Sequence, residues 1–315
     1  MSETTALLPT DRQTPADGFG STAPDRFDDA LRQRRAGRGR RALGYGGRLL
    51  ARPGAVIAAL WLLAVAVAAV APGLIAPGSP YDATPADRLL APSAQHPFGT
   101  DQIGRDLFTR VVHGTGLTLS ASAIAVAVGL VVGSALGLVA GFVGGRVDAL
   151  AMRIADVLLA IPSLLLSLAI VTVLGFGTVN VAVAVGVGSI ASVARIMRSE
   201  VLRVRQSVYV EAARISGNTW TRVLLRHVLP NSAGPVLVLA VLELGTAILA
   251  VSALSFLGFG APPPAPEWGA LVSGGRDNLR NAWWLTVFPG IAIALTVLAA
   301  NRLSRALDTE GRAVR

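Results

Sequence analysis

Side chains able to do chemistry are scarce in this chain of 315 residues, of which only 15% are Asp, Glu, Lys or Arg. Cysteine is absent, and His96, His113 and His227 are scattered, so no thiolate cluster, histidine metal site or cofactor is expected. All 28 basic residues are arginines. A phosphate-cradling Walker loop requires its lysine, so the chain is not itself a P-loop ATPase. Reactive types gather instead in "EAARISGNTWTRVLLRHVLPN", Glu211 to Asn231, between two strongly apolar runs. Two further carboxylates sit inside apolar runs: Asp156 in "MRIADVLLAIPS" and Glu243 in "LAVLELGTAIL". A carboxylate facing lipid at a helix centre costs ~2.5 kcal/mol or more, so Glu243 must face protein or water. Asp156 lies near the end of its run, where it either pairs with Arg153 or a loop arginine or lines a polar path.

The elements that must position these groups are membrane helices. A 52% hydrophobic content leaves too little polar surface for a soluble domain of this size. Residues 1–50 form a polar, partly disordered tail that turns basic in "LRQRRAGRGRRALGYGGRLLARPG". Six apolar stretches follow, each near the ~20 residues needed to cross ~30 Å of hydrocarbon. They run from about Gly54 to Ile75, Gly116 to Val143, Met152 to Leu174, Val179 to Met197, Gly234 to Leu257 and Trp284 to Leu303. Pro162 is expected to kink the third. Gly129, Gly133, Gly137 and Gly141 make a small-residue stripe on the second, suited to close packing within the chain or against another. The organisation read from this is a first span at 51–76, an outer loop at 77–115, a core at 116–308 holding a polar loop at 198–232, and a tail at 309–315.

Arginine sets the orientation. Ten lie in the stretch through Arg52, six between Arg198 and Arg226, and four between Arg302 and the end. The loops on the other side balance Arg88, Arg105 and Arg110 against four aspartates, and Arg276 and Arg280 against Glu267 and Asp277. Both termini and the polar segment therefore face the cytoplasm. This sidedness accounts for the net charge of +9 better than nucleic-acid binding does. No loop is long enough to be an enzyme domain, so the energy source is a membrane gradient or a partner.

The polar segment reads as two short helices. Val208, Glu211, Ala212 and Ile215 recur at helical spacing, and Gly217 permits the left-handed turn that ends a helix. Asn218 or Thr219 caps a second helix with Val223, Leu224 and Val228 on one side, and Pro230 is expected to stop or bend it. Such an elbow could rest on lipid headgroups or engage a protein.

In its residues the segment resembles the EAA loop of permease subunits in binding-protein-dependent ABC importers: Glu211, Ala212, Ala213, Gly217, Leu229 and Pro230 match that pattern. Three more stretches resemble the C-type permease of the dipeptide, oligopeptide and nickel importers. They are "HPFGTDQIGRDLFTRVVHGTG" (His96 to Gly116), "ALSFLGFGAPPPAPEWGALVSGGR" (Ala253 to Arg276) and "WWLTVFPGIAIALTVLAANRLSRALD". Together they cover most of the chain from Arg52 to Asp308. The sequence departs from the pattern at Val251, where relatives carry glutamate, at Trp283, where they carry proline, and in a shortened exit after Leu303.

The resemblance implies an all-α, polytopic protein of six transmembrane helices with both termini inside, in the type I importer permease fold. It implies a non-catalytic half-pore in the bacterial cytoplasmic membrane, for peptides or a related small solute. Its implied partners are a second homologous permease, two cytoplasmic ATP-binding subunits and an extracytoplasmic solute-binding protein. Glu211, Ala212, Ala213, Arg214, Gly217, Leu229 and Pro230 would couple to the ATPase. Glu243 and Asp156 would then be pathway or interhelical groups, Glu243 lining the cavity or meeting the partner permease. The competing reading is an ion-gradient-driven secondary transporter, which predicts an internal repeat and paired interrupted helices; no such repeat is evident.

Overall fold

The computed structural model describes residues 53–313, with side chains placed as far as Ala306. The expected N-terminal tail lies outside the described residues. Among the described residues all named elements are helical, and the single β-bridge joins Thr100 to Asp106. The helices are α1 (Pro53–Val70), α2 (Leu107–Val143), α3 (Gly145–Ala160), α4 (Ser163–Leu174), α5 (Thr178–Arg205), α6 (Val208–Ile215), α7 (Trp220–Val223), α8 (Leu229–Phe256), α9 (Trp268–Gly275) and α10 (Trp284–Ala313).

Five helical runs are long and apolar enough to cross a membrane, and the pair α3–α4 supplies a sixth crossing if it is one broken span. The expected kink at Pro162 is in fact a 94° break. Proline disfavours the helical region for the residue before it, and Ile161 is accordingly extended (φ −95°, ψ 129°). Neither piece spans alone: α4 has 12 residues, which reach only ~18 Å at ~1.5 Å per residue. The "GFGT" stretch separates α4 from α5 as the sequence indicates, with φ values of 88° at Gly175 and 129° at Gly177.

The second span begins earlier than expected, at Leu107, because Asp106 caps it: its carboxylate accepts from the Thr109 backbone N–H and hydroxyl, both at 2.8 Å. The centre of the fold is the α2–α5 pair. The glycine stripe lies between these two helices, so it serves packing within the chain. A methyl group added at Gly133 would stand 2.7 Å from the Ile190 carbonyl oxygen and 2.8 Å from Val193 Cβ. One at Gly141 would stand 3.0 Å from both the Arg198 carbonyl oxygen and Val201 Cβ. α10 packs on α8, and α1 on α10, where Trp61 Nε1 donates to Thr296 Oγ1 at 3.1 Å.

Val251 is buried among Ala247, Leu254, Val181 and other small apolar residues. Trp283 is half exposed and meets Trp284 edge-on with ring centroids 6.1 Å apart.

Candidate functional site

Two polar places stand out against this apolar frame, one at the start of α8 and one beside its middle. One is the elbow at the arginine-rich end. α6 is anchored through Val210 and Ala213, which are buried with Phe142, Val201, Val204, Val223 and Val228. The face carrying Val208, Glu211, Ala212 and Ile215 points the other way, and Val208 and Ile215 are each 81% exposed. Gly217 ends the helix at φ +77° in the left-handed region, which a side chain adopts only at a cost of about 1–2 kcal/mol. Asn218 closes the end by donating its Nδ2 to the Ala213 carbonyl at 2.9 Å.

The EAA residues thus divide. Glu211 and Ala212 are exposed, whereas Ala213 is a packing residue. Arg214 is exposed but its guanidinium carbon lies 5.8 Å from the centre of the Phe142 ring, a cation–π distance, and Trp220 packs on the same ring at 4.5 Å. Leu229 is half-buried and Pro230 exposed, both on α8.

Pro230 does not stop the second helix. Residues Trp220–Phe256 form one run of 37 residues, broken in register only by a π-turn at Leu224–Val228. The physical reason is local. Proline has no N–H to give the carbonyl four residues back and its ring crowds that carbonyl. The wider turn, in which the Leu229 N–H reaches the Leu224 carbonyl, removes the conflict without ending the helix. The expectation of two separate short helices is corrected to one short helix followed by the head of a long one.

The second place is a cavity of about 310 Å³ between α2, α4, α5 and α8, which holds Glu243 and Thr246. Asp156 is not in its wall. Its partner is neither Arg153 nor a loop arginine but Arg195 of α5, whose Nη2 lies 2.8 Å from Asp156 Oδ1. A second cross-helix pair, Arg198 with Asp148, ties α5 to the start of α3 through two hydrogen bonds. Sequence reasoning missed this pair, because residues 50 apart carry no local signal of contact.

The far end of the molecule is closed by an outer cap built from the three stretches singled out in the sequence. Leu107, Val111, Trp268, Leu271, Trp284 and Leu285 share one buried cluster. Trp268 Nε1 donates to the Val111 carbonyl at 2.8 Å, and Trp284 Nε1 to that of Thr100 at 3.2 Å. Asp101 accepts from the backbone of Ile103 and Arg105, each at 3.0 Å, and from Arg105 Nε at 2.6 Å. Buried Arg110 donates to the carbonyls of Pro80 and Pro264 at 2.9 and 3.2 Å.

Glu267, read from sequence only as a loop charge, is fully buried. It caps α9 by accepting from the Gly269 and Ala270 N–H groups at 3.1 and 3.0 Å, and from the Thr118 hydroxyl at 3.1 Å. Burial pushes its carboxyl above the usual carboxylate range, against the lowering effect of those donors. Because the folded value is the higher one, the stability it contributes is full below the unfolded value and is lost as pH rises through the folded value. Glu267→Ala is expected to cost about 1–3 kcal/mol by stranding buried donors. Thermal unfolding of the detergent-extracted protein across pH checks both effects, with Glu267→Gln expected to flatten the pH dependence.

Among the described residues the protein is all-helical, with five or six candidate spans, a surface elbow beside the start of one of them and a cavity deeper between the helices. The fold itself is that of an importer permease: a chain of the MetNI methionine ABC transporter, solved in inward-facing conformations, superposes with a TM-score of 0.50 at 21% identity, over 62% of this chain and 95% of that one. Residues 133–310 match the family described as binding-protein-dependent transport system inner membrane component. The glutathione transport system permease protein GsiD of Escherichia coli O1:K1 is 46% identical over 216 residues, 69% of this chain and 71% of that protein. The GsiD protein of Shigella flexneri serotype 5b is 49% identical over the same length and shares.

The chain belongs to the binding-protein-dependent transport system inner membrane component family. It is a permease subunit of an ABC importer, and the gradient-driven alternative is set aside. Such a subunit works with an ATPase and a substrate-binding protein.

Proposed function

We propose that this chain is one half of a pore in the bacterial cytoplasmic membrane, paired with a homologous second permease. In this reading two separate cytoplasmic subunits hydrolyse ATP, and an extracytoplasmic binding protein delivers a peptide-type solute to the outer cap. Glutathione is the first solute to try, since the GsiD proteins are glutathione permeases by name. The coupling surface comprises Glu211, Ala212, Ala213, Arg214, Gly217, Leu229 and Pro230. Ala213 and Arg214 act there by holding α6 in place, and Gly217 by ending it.

The observation that carries the reading is the unburied side of α6. Val208 and Ile215, 81% exposed, flank a carboxylate that has no hydrogen bond or ion pair among the described residues. A face of that kind suits a protein socket. The chain has no cysteine, so Ala212→Cys gives a single reactive thiol on that face. With a short thiol-to-amine crosslinker in native membranes it is expected to capture a chain carrying a Walker loop, identified by mass spectrometry. Crosslinking to lipid or to this chain alone would remove the coupling role.

A further inference from the structure

The cavity wall is mostly apolar, with Val126, Leu159, Val185 and three alanines, and its polar groups are of one kind. Ser163, Ser167, Ser189, Ser192 and Thr246 line it, and Glu243 is the one charged residue among those that do. Ser167 donates to the carbonyls of Ser163 and Ala184 at 2.9 and 3.2 Å, Ser189 to that of Gly186 at 3.0 Å, and Ser192 to that of Ser189 at 2.8 Å. Thr246 donates to the Glu243 carbonyl at 2.9 Å and lies 3.3 Å from its Oε2. With their protons engaged by backbone, the hydroxyls of Ser167, Ser189, Ser192 and Thr246 are left with oxygen lone pairs that can accept. The wall therefore offers acceptors around one carboxylate, with no competing cation.

The surroundings sharpen this. Arg195 and Asp156 sit one helical turn beyond Ser192 and Leu159 of the wall, toward the arginine-rich end. Their side chains are 54% and 58% exposed, yet bound to each other at 2.8 Å. An ion pair so exposed, within spanning helices, is expected to face water or a second chain rather than lipid. Arg195 is already matched by Asp156, and among the described residues Glu243 has no ion-pair partner.

We propose that Glu243 and the hydroxyl oxygens around it receive a primary ammonium group of the transported solute, such as the free α-amine of an amino acid or peptide. An ammonium carries three donors and no acceptor, which complements a wall of acceptors. The statement that the solute is transported rests on the importer reading above; the preference of the site for a cation does not.

The absence of cysteine allows a direct test in the assembled transporter in native membranes. Thr246→Cys is labelled with 2-aminoethyl methanethiosulfonate, a primary ammonium, and with the anionic 2-sulfonatoethyl reagent, with the cysteine-free parent as background. The cationic reagent is expected to react about tenfold faster, as charge focusing in a low-dielectric cleft provides, and Glu243→Gln to bring the two rates together. Equal rates at Thr246→Cys, or a ratio that Glu243→Gln leaves unchanged, overturn the proposal. No reaction with either reagent overturns it too, since lipid or another chain then covers the face.

Uptake of glutathione and of its N-acetyl derivative adds the transport side. The parent is expected to favour the free amine, and Glu243→Gln to narrow that preference about tenfold. Equal loss of both substrates in Glu243→Gln would mean that the carboxylate serves assembly with the second permease, and would overturn the site. A parent that imports neither, yet keeps its cation preference at Thr246→Cys, would reject the peptide-type solute and leave the cation site standing.

Discussion

Glu211→Lys is expected to leave the amount of protein in the membrane unchanged and to lower uptake at least tenfold. The first half follows from exposure: Glu211 lies on the unburied side of α6, and among the described residues its carboxylate accepts no hydrogen bond, so its loss strands nothing there. The second half follows from the interface that side would form. Breaking a desolvated, hydrogen-bonded charge contact costs about 2–5 kcal/mol, and every 1.4 kcal/mol is a factor of ten. Gly217→Val should produce the same phenotype by another route, since a β-branched residue at φ +77° undoes the end of α6. ATP hydrolysis should persist in both variants and become indifferent to the binding protein. Normal uptake by Glu211→Lys at normal expression would refute the coupling role of the elbow.

The largest effect on folding is expected at the α2–α5 contact. Gly133→Ala places a methyl group against the Ile190 carbonyl, a backbone group that cannot swing aside, and against the β-branched side chain of Val193. Overpacking of this kind costs about 1–3 kcal/mol, and Gly133→Leu, with three more carbons, should prevent recovery of folded protein. Gly290→Ala is the contrast, because nothing lies within 4 Å of the added carbon. Its stability should change by less than about 1 kcal/mol, set by helix propensity alone. Comparable losses at both positions would show that the stripe is not a contact. Detergent thermal denaturation of the three variants decides the matter.

Much of this architecture is legible in the sequence because lipid imposes few choices. Helix is the only open-ended structure whose backbone satisfies itself in hydrocarbon, so runs such as Trp284–Leu303 announce themselves. The EAA pattern at Glu211–Pro230 is legible for a different reason: it is a cluster of polar types with no business between two spans. What the sequence hid depends on contact at a distance. That Arg195 rather than Arg153 meets Asp156 is a matter of how α3 and α5 lie together. That Val208, Glu211, Ala212 and Ile215 form the free face rather than the packed one required knowing that Val210 and Ala213 have Phe142 beneath them. Pro230 misled because proline interrupts a hydrogen bond rather than a helix, and a π-turn offered a way past it.

That detour has a mechanical meaning. From Trp220 to Phe256 the chain is one shaft of 37 residues, about 55 Å at ~1.5 Å per residue, with Glu243 mounted near its middle. A torque applied to the surface end is delivered to the cavity wall by the shaft itself, with no relay of side chains in between. The turn of looser winding in that shaft lies at Leu224–Val228, between the surface end and Glu243. Glu243 and the surface end at Trp220 thus belong to one continuous helix, while Glu211 stands on the separate α6, across the left-handed turn at Gly217.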